Sequence, residues 1–365
     1  MNVLYVDLER EWRGGQSQAL LTLRGLRESG HVAELVAARG SPIARRAAGA
    51  GIIVHEVSRV ALRLSAARVV RRLARSGRFN VLHANESHAL TAAWMAGADA
   101  FLPILLSRRI GFPLQSNIFS RARFRAVCRF VATCQDIARS LMESGISSER
   151  IAIVNEGVEI PPLPSAGSRL RARKYWGVKE DEFLFGCVGV FVPEKGQRHL
   201  IEALAKVRKE YPRARLLLAG DGACRPALEK LTNDLGQTEA VHLVGFVQDV
   251  TPVYMALDAF LFPSEFEGLG TSMLAALAWG LPSVSTARAG LAEVVDNGRT
   301  GLVAEPDGRQ FAEAMLRLLR EPSFAQRLGV AARRSAIERF SAAQMVEGTL
   351  SVYREALRRR PGSSR

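Results

Sequence analysis

Residues 263–282 read PSEFEGLGTSMLAALAWGLP, and an apolar tetrad at 259–262 stands immediately before them. The order is a strand end, an acidic turn, a Gly-x-Gly loop and then a run with helical spacing that opens at Thr271 and Ser272. A helix opening leaves its first backbone N–H groups without intrahelical partners and carries the positive end of the helix dipole, which suits an anion. Gly268 and Gly270 allow the main chain to approach a bulky anionic group closely. An ordinary strand–turn–helix connection has the same ingredients, so these 20 residues alone specify a βα step and leave its ligand open.

The same alternation runs through the rest of the chain. Short apolar runs at 183–190, 215–219, 241–244, 283–285 and 301–304 are separated by helical spacing, which includes a helix over 199–208. Residues 306–365 are almost entirely helical in pattern. The first half repeats the rhythm with runs at 3–7, 33–36, 52–56, 81–83, 104–107, 130–133 and 151–154. A loop carrying Gly14 and Gly15 follows the first of them, and then an amphipathic helix with Ala19, Leu20, Leu23 and Leu26 on one face. Strands alternating with helices in this way predict parallel α/β sheets. Residues 160–165 (IPPLPS) break the rhythm, because consecutive prolines continue neither a helix nor a central strand. The predicted organisation is therefore an N-terminal domain over 1–162, a C-terminal domain over 163–340, and a helix over 341–365 crossing back to the first. Two such domains would set a cleft between the carboxyl ends of their sheets, where open α/β sheets bind ligands.

Length and composition fit this division. The chain has 365 residues, and about 150 per domain allows about two. Apolar residues make up 48% and charged residues 24%, which excludes disordered, collagen-like and disulfide-stapled classes. The charge is unusual: 50 Lys and Arg against 36 acids give a net +14, and 44 of the 50 are arginine. Such an excess speaks of phosphate-bearing ligands, acidic glycolipids, an anionic membrane or nucleic acid. No zinc finger, recognition helix or aromatic-studded sheet pattern supports nucleic acid. Cys128, Cys134, Cys187 and Cys224 form no C-x-x-C pair and read as reduced small side chains. The first apolar run looks like a strand rather than a signal peptide, and no stretch approaches the roughly 20 apolar residues of a membrane span. A cytoplasmic protein is expected, with room for peripheral attachment to the inner face of the plasma membrane.

Taken with its neighbours, the 263–282 stretch resembles the E-G-x-G-x-x-x-x-E-A-x-A-x-G-x-P segment of family 4 retaining glycosyltransferases. Gly14-Gly15 resembles that family's first-loop glycine pair, and 146–159 (ISSERIAIVNEGVE) the strand before its interdomain linker. Residues 189–196 (GVFVPEKG) resemble its G-R-L-x-x-x-K-G loop, and 216–222 (LLLAGDG) its mid-domain strand and turn. Residues 290–302 (GLAEVVDNGRTGL) and Arg339-Phe340-Ser341 complete a series that runs in order along nearly the whole chain. The resemblance implies the GT-B fold, two Rossmann-like doubly wound parallel-sheet domains facing a central cleft. His83 with the Ala-Asn-Glu-Ser-His after it, and Ser107-Arg108-Arg109, are similar to members acting on lipopolysaccharide and other bacterial surface glycans.

The implied reaction moves a sugar from a nucleotide diphosphate sugar, a co-substrate rather than a cofactor, with retention at the anomeric carbon. Negative charge grows on the leaving phosphate, so a cation and preorganised N–H donors there give the largest help. By the resemblance Lys195 is the cation, and Glu267 binds a donor-sugar hydroxyl near the reacting carbon. The backbone of Gly14 and Gly15 and the segment Gly268, Leu269, Gly270, Thr271 and Ser272 would hold the donor. Phe246 and Val247, after the 241–244 run, are candidates to cradle the nucleobase. No metal platform is implied. On the acceptor side the candidates are His83, His88, Arg108 and Arg109, with plain loop roles left open for each.

Two positions depart from the family pattern. Its second acid, which usually holds the ribose, falls on Ala275, and the loop arginine that joins the lysine at the diphosphate falls on Val190. Loss of one charge-assisted hydrogen bond costs about 1.5–3 kcal/mol, or roughly ten- to a hundredfold. Arg198 and Arg288 are nearby in sequence as substitutes, and a catalytically degenerate member serving as a binding or scaffold component is the alternative. Finally, residues 1–160 hold 22 Arg against 13 acids, a net of +9. Seven of these arginines lie between Arg59 and Arg78, interleaved with Val60, Leu62, Leu64, Val69, Val70 and Leu73. That interleaving reads as a basic amphipathic helix suited to an anionic membrane surface, or as a surface helix with one buried face.

Overall fold

A computed structural model describes residues 1–109, 111, 114 and 117–358. Its aliphatic runs pair into parallel strands, as runs covered on both faces do. In the first half these are β1 (Asn2–Asp7), β2 (Val32–Ala38), β3 (Ile53–Val57), β4 (Val81–Ala84), β5 (Ile104–Arg108), β6 (Val127–Ala132) and β7 (Ile151–Ile153). Among the described residues they form one sheet in the order β3-β2-β1-β4-β5-β6-β7. In the second half β8 (Phe183–Val188), β9 (Ala214–Ala219), β10 (Val241–Gly245), β11 (Ala259–Phe262), β12 (Ser283–Ser285) and β13 (Leu302–Val303) follow. These form a second sheet in the order β10-β9-β8-β11-β12-β13. Both orders are doubly wound and reverse direction once, between β1 and β4 and between β8 and β11. Open sheets of this kind bind ligands at that reversal, beyond the carboxyl ends of the flanking strands.

The chain divides into two units, Met1–Gly157 with the segment from Ala342 onward, and Val158–Ser341. The sequence predicts these boundaries at 162/163 and 340/341. In the structure the segment before the proline run already belongs to the second unit, where the Val158 N–H donates to the Phe340 carbonyl at 2.7 Å.

In the first unit Val3 and Tyr5 on β1 pack with Leu35 on β2 and with Ala19, Leu23 and Leu26 of the helix Gly14–Glu28. The last helix, Ala342–Arg358, completes that core by burying Val346, Leu350 and Tyr353. It lies so close to the Gly14–Glu28 helix that a Cβ on Gly25 would collide with Val346. In the second unit Phe185, Leu216, Leu218 and Leu261 of the sheet pack with Leu200 and Leu204 of the helix Gln197–Val207 and with Phe311 and Met315. All four cysteines are free thiols. Among the described residues no helix is long and apolar enough to cross a membrane.

The basic stretch folds differently from a fully membrane-facing helix. Its helix is Leu62–Ala74, and Ala66, Val70 and Leu73 are buried, so that side belongs to the core. Only Val60 and Leu64 among its large apolar side chains are mostly exposed, at 82% and 50%.

Candidate active site

The second unit carries its candidates on the two loops that flank the sheet's reversal. After β8, Gly189 donates to the Ala219 carbonyl at 3.0 Å, and Phe191, buried, donates to the Asp221 carbonyl at 2.9 Å. The chain then makes one 3-10 turn, Pro193–Lys195, and enters the helix Gln197–Val207 through Gly196. Gly196 has φ +66, and a Cβ there would sit 2.5 Å from the Pro263 carbonyl oxygen, so this position needs glycine twice over. After β11, the Glu265 N–H donates to the Glu194 carbonyl at 2.8 Å, and the Ser264 hydroxyl donates to the same oxygen at 3.3 Å. Thr286 in turn donates to the Ser264 carbonyl at 2.5 Å. The lysine loop and the acidic loop are thus laced together by their backbones.

That lacing brings Lys195 and Glu267 into direct contact as an ion pair. Both side chains are about four-fifths covered, and the Lys195 ammonium also lies 5.7 Å from the Phe262 ring centre. Burial pushes the Lys195 pKa down to about 8, while the neighbouring Glu194 carboxylate opposes the shift. The Glu267 carboxylate in contact with the amine likewise favours its charged form. Directly after this pair, Gly270 takes φ +73, where a Cβ would press on the Phe262 ring at 2.8 Å. The helix Thr271–Ala278 then opens without a side-chain cap. Among the described residues nothing accepts from the Thr271 and Ser272 N–H groups, and both residues are half-buried rather than covered. A cation, a carboxylate and an uncapped helix start therefore stand on consecutive pieces of one chain segment pair. Such a set can hold a phosphate at the amine and the N–H groups while a carboxylate meets a neighbouring hydroxyl.

Other candidates in this unit stand apart. Leu269, expected to contact the donor, is fully buried, main chain included, and presents no surface to a ligand. Phe246 is 73% exposed and Val247 half-buried, and both follow the edge strand β10, two strands away from β8. Ala275 lies one turn into the Thr271–Ala278 helix on the Thr271 side and is half-buried. Val190 is 49% exposed, and its carbonyl accepts from the Gln197 side chain at 3.0 Å. Of the suggested substitutes, Arg198 is exposed, and Arg288 is engaged with Glu305 at 2.6 Å.

The first unit presents the matching arrangement at its own reversal. Gly14 and Gly15 open the helix Gly14–Glu28 after an extended Arg13, again without a side-chain cap. Arg109, at the end of β5, lies against Gly15 and donates to the Asn85 carbonyl at 3.1 Å. Its Nε faces Glu156 at 3.4 Å. Arg108 is half-buried, and burial lowers its pKa. His88, exposed on the helix Ser87–Met95, has its pKa lowered by burial and by the Arg63 charge.

His83 requires a correction. It is not a loop or acceptor-facing residue but part of β4, and it is 2% exposed. Its Nδ1 bonds the Tyr353 hydroxyl at 2.6 Å and its Nε2 the Ser107 hydroxyl at 2.7 Å. Burial pushes its pKa down to about 3, so it is a neutral structural link with no nitrogen left for a ligand.

A buried polar network around Gly15 escaped the sequence reading. Asp7, fully buried, accepts from Asn85 at 2.6 Å and from Gln16 at 3.1 Å, and Asn85 also donates to the Gly15 carbonyl at 3.2 Å. Burial raises the pKa of Asp7 and of Glu156, and pushes Glu86, the cap of the Ser87–Met95 helix, up to about 7. The available signal was positional: Asp7 ends a strand and Asn85-Glu86 follow one, the places where a doubly wound sheet keeps its polar groups.

Both halves of the chain match known proteins. Residues 12–160 match the model of Glycosyltransferase Family 4, and residues 182–321 that of Glycosyl transferases group 1. The GDP-mannose-dependent alpha-(1-6)-phosphatidylinositol monomannoside mannosyltransferase of Mycolicibacterium smegmatis is 31% identical over 282 residues, 73% of this chain and 66% of that protein. The lipopolysaccharide core biosynthesis glycosyltransferase LpsE of Rhizobium meliloti is 33% identical over 166 residues, 45% of this chain and 48% of that one. These alignments thus span about half to two thirds of the curated relatives' own length. The structure of Anabaena HepE in complex with UDP superposes with a TM-score of 0.84 at 20% identity, covering 97% of this chain and 100% of that one.

Proposed function

The chain belongs to the family 4 and group 1 glycosyltransferases and has their GT-B fold, and from that premise we propose that it is a retaining, metal-independent transferase for bacterial surface glycans. It takes a sugar from a nucleotide diphosphate sugar and passes it to a lipopolysaccharide or other glycolipid acceptor at the cytoplasmic, anionic face of a membrane. The observation that carries the reading is the Lys195–Glu267 pair set beside the uncapped Thr271 helix start.

As the donor's glycosidic bond breaks, charge accumulates on the leaving diphosphate. The Lys195 ammonium and the Thr271 and Ser272 N–H groups meet that charge, in a site already shielded from water, where such contacts are strongest. Donor binding draws the ammonium from Glu267 to the phosphate, which frees the carboxylate to accept from a sugar hydroxyl. In the first unit, Gly14 and Gly15 offer N–H groups of their own, with Arg109 beside them for an anionic substrate group. Exposed Phe246 and its neighbour Val247 serve the base. His88, Arg108 and Arg109 remain the acceptor-side candidates, and His83 leaves that set. The relatives support the acceptor class: one is named for lipopolysaccharide core biosynthesis, another for a phosphatidylinositol mannoside.

The test is incubation with UDP-, GDP- and ADP-sugars and a glycolipid extract, following nucleoside diphosphate release. One donor should give release that depends on the extract, and the matching diphosphate should raise the melting temperature. No release and no thermal shift with any of them would falsify the reading.

A further inference from the structure

The helix Leu62–Ala74 keeps Arg63, Arg68, Arg71 and Arg72 exposed along its outer side, and its opening carries exposed apolar side chains as well. That opening forms one wall of an open cavity of about 660 Å³, whose other walls are the loop after β1 and the helix Ser87–Met95. Arg10, Arg59, Arg63 and His88 line it, against the single acid Glu9. Among the described residues the Arg59 and Arg63 guanidinium groups have no ion-pair partner. Arg10 donates to the Arg59 carbonyl at 3.2 Å, which holds the loop under them. Exposed arginines elsewhere are commonly paired, such as Arg13 with Glu11, Arg299 with Asp296 and Arg334 with Glu338. Like charges gathered round a concavity repel one another, and an anion seated there relieves the repulsion. The helix adds to the same field, because it starts with no acidic residue and no side-chain cap, behind Ala61 at φ +46.

The rim is apolar where the floor is basic. Val60 and Leu64 project from the opening. The adjoining helix Ile118–Arg125 is tied to the same wall, since Arg123 donates to the Thr91 hydroxyl at 2.6 Å. Its Ile118 and Phe119 are 79% and 70% exposed. Large apolar side chains standing free beside unpaired arginines have the composition of a face that meets lipid headgroups with charge and the acyl boundary with hydrocarbon.

We propose that this face of the first unit docks on an anionic phospholipid bilayer, with one lipid phosphate seated between Arg59 and Arg63 and with Val60, Leu64, Ile118 and Phe119 entering the headgroup boundary. This deepens the membrane part of the proposed function and does not rest on the transfer chemistry, because docking needs no donor.

Sedimentation of the full chain with vesicles tests it, using phosphatidylcholine alone and phosphatidylcholine mixed with phosphatidylglycerol. Binding is expected only to the mixed vesicles, weakening as salt rises. Arg59→Gln with Arg63→Gln should reduce it by about thirtyfold, and Val60→Ser with Phe119→Ser should also weaken it, the substituted side chains being solvent-facing. Equal binding to both vesicle types would overturn the proposal. So would protection by inorganic phosphate with no vesicle binding, which marks a soluble-phosphate site. Unchanged vesicle binding in both double variants, with nucleoside diphosphate release intact, would remove this docking face and leave the transferase reading standing.

Discussion

Lys195 shows how little a single residue type explains without its surroundings. Six lysines occur in the chain, and this one is held by backbone bonds between two loops, paired with Glu267 and largely covered. Covering an amine favours its neutral form, which is why its pKa falls to about 8. If the cation meets the leaving diphosphate, kcat/KM should fall as pH rises through about 8, because the folded free protein then loses the proton it needs. Lys195→Ala should lower turnover by on the order of a hundredfold, with the melting temperature little changed. Lys195→Arg, charged at every accessible pH, should lose the alkaline limb while retaining a reduced rate. A rate profile flat to pH 10, or full activity of the alanine variant, contradicts this role. Ala275 and Val190 are the counter-examples at the same scale. Each occupies a position where the family pattern has a charge, and no described side chain visibly replaces either one.

At the scale of elements, most of the fold was legible. The apolar runs at 81–83, 104–107 and 183–190 lie on strands because aliphatic stretches covered on both faces read the same in sequence and in a parallel sheet. Boundaries were less legible: β8 stops at Val188, where Gly189 makes the last rung to Ala219 on β9, a long-range partner with no local signature. The 59–78 stretch left two readings open, since a basic amphipathic pattern does not say whether its apolar side meets a membrane or a core. Contact between helices is equally silent in sequence. Gly25 is an unremarkable helical glycine until the last helix is placed across it, with Val346 where a side chain would go. Gly25→Ala should therefore lower the melting temperature of the first unit despite alanine's better helix propensity, and Gly25→Ala with Val346→Ala should restore most of the loss. A stabilised single variant would show that the two helices do not touch there.

At the scale of the whole molecule, the chain's last helix belongs with its first residues. Tyr353 supplies the hydroxyl that bonds His83 in the middle of the first sheet, and Val346 and Leu350 close the same core. A chain ending at Ser341 should lose the first unit's melting transition, because a buried histidine is stranded and a core face is stripped, while the second unit's transition persists. Calorimetry of the two chains distinguishes this from an unchanged pair of transitions, which would make the helix dispensable. The charge of the molecule is also unevenly spread, with a net +9 in residues 1–160. Arg59 and Arg63, which have no ion-pair partner among the described residues, line one cavity.

Periodicity is a local property and was enough to establish two parallel α/β sheets, while the motifs at 189–196 and 263–282 pointed to the family by resemblance. Which polar residues share an environment is not local. His83 read as an acceptor-side candidate or a plain loop histidine and proved a buried link, because its partners Ser107 and Tyr353 lie 24 and 270 residues away. Asp7 drew no notice in the chain, and Asn85 and Glu156 figured only inside quoted motifs; they became one network through Arg109 only when the strand ends carrying them were brought together. Burial, and with it hydrogen bonding and pKa, depends on neighbours that only tertiary packing supplies.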